Sequence, residues 1–243
     1  STAPPNDPLR WAIVTRLFDV SFFLGAFPKL VRELPMTLFV ATVSCLLGLL
    51  LGTLVTFVNV HRVPVLSQFS RVYISFIRGT PAVVQIFLCF FILPALFRLF
   101  GLKTADVPLV LYALAACSLH LGGYAAETLR GALLSIGTDQ LEAAYAVGMH
   151  TGQAYRRILF PQAFAAALPD LSGQVIGTLK NTSLLFIIGL VDIMTRARLI
   201  GGGAQRNLEV YLAVGILYIA LCLLIHLLFH VLEERIRARK YGQ

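Results

Sequence analysis

The sequence predicts an all-α integral membrane protein with five transmembrane helices. Three observations carry this. First, 58% of the 243 residues are hydrophobic and only 13% are charged, with a mean hydropathy of +0.80. A soluble domain has about 45–50% apolar and about 25% charged residues, and one this apolar would expose large greasy patches. A soluble globular domain, a disordered chain and a disulfide scaffold are therefore excluded. Second, five apolar runs reach the about 20 residues that a helix needs to cross a bilayer core. They are residues 35–60, 79–97, 107–126, 171–191 and 210–232. Third, lipid offers the backbone no hydrogen-bond partner, so each run must be helical.

Before the first span, residues 1–8 hold three prolines and fray. The stretch to residue 34 mixes Trp11, Phe18, Phe22, Phe23 and Phe27 with Arg10, Arg16, Lys29 and Arg32. That mixture suits an interfacial helix lying along the bilayer. No small-residue cleavage site follows a short apolar core, so a signal peptide is not expected. Pro35 suits a first helical turn and opens span one. Spans two and three follow, and the longest polar stretch, residues 127–160, separates span three from span four. Span four is interrupted only by Lys180, and span five leads into a basic tail, residues 233–243. Cys45, Cys89, Cys117 and Cys222 lie inside apolar runs and read as small buried hydrophobes.

Five spans place the termini on opposite sides. The positive-inside count divides the basic residues almost evenly between the two faces and leaves the orientation open. The net charge of +8 flanks apolar segments without interleaved aromatics, which points to membrane lipid headgroups and away from nucleic acid.

The polar stretch reads LEAAYAVGMHTGQAYRRILFPQAF from Leu141. Helical spacing puts Leu141, Ala144, Tyr145 and Gly148 on one face, and Ala143, Ala144 and Gly148 keep the helix thin. Such a helix fits a groove on another protein; the competing reading is an amphipathic helix lying on the membrane. Glu127 and Arg130 share a helix face as a structural brace or as a solvated pair at the membrane edge. Arg78, read as preceding a helix start at Pro81, snorkels to headgroups or contacts the polar stretch.

Lys180 is an ammonium deep in an apolar run, where an unpaired charge costs at least about 2.5–3.5 kcal/mol. It is expected to face the bundle interior near Asn181, Thr182 and Ser183, either lining a pathway that meets an anionic group or bracing a broken helix. His120 reads as a core residue beside Gly122 and Gly123. His226 and His230 share a face without a third ligand, so no metal site is expected. Gly201-Gly202-Gly203 reads as a loop, and no phosphate-binding G-x-x-x-x-G-K-[ST] occurs in the chain.

Glu142-Ala143-Ala144, followed by Gly148, Ile158 and Pro161, resembles the EAA loop of ATP-binding-cassette importer permeases. Phe160 stands where that family usually has Leu. Arg78-Gly79-Thr80-Pro81 with Gln85, and the segment Tyr124 to Gly131 with Glu127 and Arg130, resemble motifs of the polar amino-acid branch. Lys180-Asn181-Thr182-Ser183-Leu184 resembles a third, with Asn181 in place of the usual Asp, and Asp139 stands where the branch usually has Gly. The resemblance covers about residues 35–235.

It implies a MetI-like type I importer fold with five spans in residues 35–232 and a multi-pass subunit in a bacterial inner membrane. The N-terminus is then periplasmic and the C-terminus cytoplasmic. Glu142, Ala143, Ala144, Gly148, Arg156 and Arg157 form the ATPase-coupling surface, while Lys180, Asn181, Thr182, Ser183 and Gln85 line the substrate pathway. Arg78, Glu127 and Arg130 brace the structure. The implied partners are ABC ATPase subunits, a second permease subunit (a homodimer favoured), a solute-binding protein and a polar amino acid. No cofactor belongs to this chain: ATP and Mg are bound by the ATPase, and no residue here is catalytic. The stretch around Phe18-Asp19, Phe27-Pro28-Lys29-Leu30 and Leu34-Pro35-Met36-Thr37 looks like cystine-type members. The alternatives are an ion-coupled secondary transporter or channel, which needs carboxylates inside the spans, and a membrane enzyme, which needs a catalytic cluster at one face.

Overall fold

The computed structural model describes residues 18–101 and 107–241, which are helices and short connections without a strand among them. Helices α1 (Val20–Val31), α2 (Leu34–Val60), α3 (Leu66–Gly79), α4 (Ala82–Leu99) and α5 (Leu109–Ser135) come first. Then follow α6 (Asp139–Ala146), α7 (Thr151–Ala154), a π-helical turn (Tyr155–Leu159) and α8 (Phe160–Thr182). A 3₁₀ turn (Ser183–Ile188), α9 (Ile193–Ala204) and α10 (Asn207–Tyr241) complete the described chain.

Four helices, α2, α4, α5 and α10, are long and apolar enough to cross a membrane. The fifth expected span is built differently. Residues 171–191 are not one helix: α8 starts at Phe160 and ends at Thr182, and the chain tightens into the 3₁₀ turn. Pro169, Asp170 and Lys180 make α8 less apolar than the other four. The stretch read as a loop, residues 127–160, is helical for its first part, because α5 runs on to Ser135. Gly201, Gly202 and Gly203 lie inside α9 rather than in a loop. The basic tail is a continuation of α10 as far as Tyr241.

Helices α2 and α5 form the central seam, and small residues set it. A Cβ on Gly48 would lie 2.8 Å from Leu121 Cβ, and one on Gly52 would lie 2.7 Å from Ala125 Cβ. The two helices run parallel, with Gly48 level with Leu121 and Gly52 level with Ala125. Thr56 Oγ1 donates to the Gly52 carbonyl at 2.8 Å and lies 3.0 Å from the Ala126 carbonyl. Close backbone approach of this kind supplies the dispersion contacts that hold helices together in lipid.

Helix α3 was not expected as a separate element. It buries Ser70, Ile74 and Ile77 against α2 and α5, and Ile77 Cγ2 would lie 2.6 Å from a Cβ on Gly123. Together α3 and α4 make one broken traverse antiparallel to α5. Ser70 Oγ donates to Asn59 Oδ1 near the end of α2, while the Phe90 ring packs 5.7 Å from Tyr112 near the start of α5. The break is Thr80-Pro81, where Pro81 has no N–H to continue α3. Arg78 is thus in the last turn of α3, not before a helix start.

Helix α1 is shorter than the interfacial helix expected, and residues 1–17 of that reading lie outside the described residues. Ala26 and Leu30 of α1 are buried against Ile193, Ala197, Val210 and Ala213, so the helix packs on α9 and α10 as well as presenting Val20, Leu24 and Val31 outward. Asp19 caps it by accepting from Phe22 N at 3.0 Å, and hydrogen bonds from Ser21 and Phe22 hold the Asp19 carboxyl below its ordinary value. The Asp19 backbone N–H donates to Glu209 Oε1 at 3.0 Å, and Arg196 Nε donates to Glu33 Oε1 at 2.9 Å, tying this end of the bundle together.

Candidate functional site

The short helices after α5 project two exposed surfaces. Thr138 precedes α6, and Asp139 and Glu142 in its first turn complement the helix dipole. Only Ala144 is buried; Glu142, Ala143, Tyr145, Val147 and Gly148 are exposed. The expected face of Leu141, Ala144, Tyr145 and Gly148 therefore divides, with Ala144 buried, Leu141 half-buried, and Tyr145 and Gly148 exposed. Gly148 lies past the helix end at φ +80, and Met149 N donates to the Ala144 carbonyl at 3.0 Å while Gly148 N donates to Tyr145 at 2.9 Å. These bonds are a Schellman closure, which needs a left-handed residue at this position. Nothing lies within 4 Å of a Cβ built on Gly148, so its requirement is conformational within this chain and not one of crowding.

His150 caps α7, with its ring accepting from Gln153 N at 3.4 Å. The π turn follows, because Pro161 has no N–H to return to Arg157. Arg156 and Arg157 are exposed on this turn, at the same end of the molecule as α6.

The residues expected to line the pathway separate. Lys180 does not face the bundle interior: it is exposed on the outer face of α8. Thr182 turns the other way, buried, with Oγ1 donating to the Leu179 carbonyl at 2.7 Å and 3.1 Å from Tyr218 Oη. Ser183 Oγ donates to the Lys180 carbonyl at 2.7 Å, which caps the end of α8. Asn181 borders a small cleft with Ala82, Ala116 and His120, so this end of α8 lies level with the middle of α5. Gln85 is buried and committed to structure. Its Nε2 donates to the Ile77 carbonyl at 2.8 Å and the Thr80 carbonyl at 3.0 Å, and its Oε1 meets His120 Nδ1 at 2.9 Å.

One exposed charge on α8 escaped the sequence reading. Asp170 lies inside α8 and is exposed, bordering a cavity of about 390 Å³ with Glu127, Thr128 and Ser135. It fell just outside the run 171–191, so the spans appeared free of carboxylates. Asp170, Gly173 and Lys180 lie exposed on α8, and nothing lies within 4 Å of a Cβ built on Gly173 or Gly177. The structure also joins Arg78, Glu127 and Arg130. Arg130 Nη2 and Nε reach the two Glu127 oxygens at 2.6 and 3.0 Å, and Arg78 Nη1 approaches at 3.5 Å.

Four helices long and apolar enough to cross a membrane, with a short helix projecting at one end, make a membrane-embedded helical bundle. Residues 45–238 match the family described as binding-protein-dependent transport system inner membrane component, and the chain belongs to it. It is 38% identical to the L-cystine transport system permease protein TcyL of Bacillus subtilis (strain 168), over 91% of this chain and 93% of that protein. It is 31% identical to the glutamine transport system permease protein GlnP of Escherichia coli (strain K12), over 90% and 98%. Among solved structures it resembles an amino acid ABC transporter crystallised with histidines, at TM-score 0.75 and 26% identity, covering 97% of this chain and all of that one. The methionine transporter MetNI, at 20% identity and TM-score 0.70, shares the fold.

Membership makes the chain a multi-pass inner-membrane transport component rather than an enzyme, working with an ATPase and a solute-binding protein. It is membership, not a lack of intramembrane carboxylates, that sets the ion-coupled transporter aside.

Proposed function

We propose that this chain forms half of the translocation pathway of an ATP-driven importer for polar amino acids, with cystine as the first candidate. One observation carries the reading: Lys180 is exposed on α8 level with the middle of α5, and Asp170 is exposed on the same helix nearer the α6 end, beside Glu127 and Thr128. An ammonium at the level of Lys180 would cost at least about 2.5–3.5 kcal/mol against hydrocarbon, so this face of α8 meets water or a second permease. The two charges are ten residues apart, a rise of about 15 Å, which gives a zwitterion one site of each sign along the path. The resemblance to amino-acid permeases supports the substrate class.

In this reading a second copy of the chain places its own α8 across the path. The α6 end is cytoplasmic, the N-terminus periplasmic, and Glu142, Ala143, Arg156 and Arg157 meet the ATPase. ATP and Mg stay with that partner. Closure of the ATPases moves α6, and the rigid α5–α8 pair carries the motion to the Thr182 end of α8; the pathway is a two-state element that the partners bias. Affinity purification from membranes tests the assembly. An ABC ATPase accompanies the wild-type chain and is lost or no longer stimulated with Glu142→Lys; purification of the chain without any ATPase contradicts the reading.

A further inference from the structure

We propose that Tyr218 is a two-position latch for transport: its hydroxyl bonds Thr182 in this conformation and the free oxygen of Asp192 when the ATPases close. The inference rests on the ATP-driven, two-state pathway proposed above. Thr182 Oγ1 has one proton and gives it to the Leu179 carbonyl at 2.7 Å. In the 3.1 Å contact between the two hydroxyls, Tyr218 is therefore the donor. Asp192 is 1% exposed and caps the start of α9, where its Oδ1 accepts from Thr195 N at 2.8 Å. Its Oδ2 is buried with no hydrogen-bond partner among the described residues. A buried carboxyl oxygen left unpaired is costly, and native structures keep few of them. Tyr218 is placed to relieve this one. It packs against the core cluster that holds Ile193, the next residue, and lies within electrostatic reach of Asp192. The exchange is uneven: it pairs an orphaned oxygen, whereas Thr182 keeps its bond to Leu179.

The latch sits at a joint between two cores. After Thr182 the chain makes the 3₁₀ turn and then Gly189 at φ +80, a left-handed position that glycine adopts at no steric cost. Leu185, Ile188 and Leu190 of this excursion bury with Val40, Ile86 and Tyr112 of α2, α4 and α5. Past Asp192, Ile193 and Ala197 bury instead with Leu30 of α1 and with Val210 and Ala213 of α10. Tyr218 belongs to this second core and reaches out of it to the end of α8. Exchanging its bond uncouples the end of α8 from α10 while each core stays packed. That is a small change between two discrete arrangements, the kind that packed helices use to switch.

The test is cryo-electron microscopy of the assembled transporter, nucleotide-free and trapped with ATP and vanadate. In the trapped state Tyr218 Oη should lie at about 2.7 Å from Asp192 Oδ2 and out of reach of Thr182. A trapped state with Tyr218 still on Thr182 overturns the latch and leaves the proposed function standing. Spans that do not change on trapping overturn the two-state pathway itself, and the latch with it. Vanadate trapping of variants gives a second readout. Tyr218→Phe removes the proton, and Asp192→Ser removes Oδ2 while keeping a good helix cap. Each should lower the ratio of trapped to free transporter about tenfold, equivalent to about 1.4 kcal/mol. The double variant should lower it no further than either single change, because both delete one bond. Thr182→Val frees Tyr218 and should raise the ratio. Additive losses in the double variant overturn the latch. A fall with Thr182→Val does so too, since it makes the contact one of packing alone.

Discussion

Gln85 donates from Nε2 to the carbonyl of Ile77 at 2.8 Å, across the break that Pro81 makes between α3 and α4. An unbroken helix would have satisfied that carbonyl with the N–H of residue 81, which proline lacks. The side chain four residues on takes its place and reaches the Thr80 carbonyl as well. Arg78-Gly79-Thr80-Pro81 with Gln85 is therefore a unit for breaking a span without leaving polar groups unpaired in lipid.

Gln85→Leu keeps the volume and removes the donor. It strands the Ile77 carbonyl and the ring nitrogen of His120, at a cost of about 1–3 kcal/mol. Thermal unfolding in detergent should show a lowered midpoint with the substrate preference of the residual transport unaltered. An unchanged midpoint with altered preference would return Gln85 to the pathway.

The α2–α5 seam predicts a contrast between glycines. Gly52→Val puts a branched side chain where even a Cβ comes within 2.7 Å of Ala125, so the protein should fail to accumulate in the membrane. Gly131→Ala enters open space on α5 and should be neutral or stabilising by about 0.5–1 kcal/mol. Quantifying both in isolated membranes checks the pair; equal levels would show that the seam is not tightly packed.

At Gly148 the φ of +80 is what matters. Gly148→Ala should cost about 1–2 kcal/mol locally and loosen the closure of α6, reducing the stimulation of ATP hydrolysis by the binding protein. Gly148→Asn, which tolerates this backbone better, should retain more of it. Equal stimulation in both variants would remove the conformational argument.

Lys180→Met deletes the charge on the exposed face of α8 and keeps most of the length. Assembly and ATP hydrolysis should persist while uptake falls at least about tenfold, near the 1.4 kcal/mol that one charge-assisted contact supplies. Unchanged uptake would take Lys180 out of the pathway; failure to assemble would make it part of an interface.

The spans that the sequence displays best are those whose apolar runs are unbroken: 35–60 became α2 and 210–232 lies inside α10. The element lost was α3, whose Ser70, Ile74 and Ile77 face inward at helical spacing while Arg62, Arg71 and Arg78 mask it as a polar connection. Span four was misplaced because the apolar run 171–191 starts after Pro169 and Asp170, whereas α8 runs through both from Phe160 and ends at Thr182, before the run does. Gly48 and Gly52 went unread: they stand one turn apart in an apolar run, and nothing in the chain itself names Leu121 and Ala125 as their partners. Thr182 and Ser183 adjoin Lys180 in sequence, but the end of α8 turns them into capping roles.

The central claim is that ATP, through a docked partner, drives an amino acid past the α8 stripe. The most direct measurement is uptake of radiolabelled cystine and glutamine into proteoliposomes holding the chain with its co-purified ATPase and binding protein. The account predicts uptake only with ATP inside the compartment that the α6 surface faces, abolished by omitting the binding protein and unaffected by collapsing the proton gradient. Uptake driven by an ion gradient without ATP would contradict it.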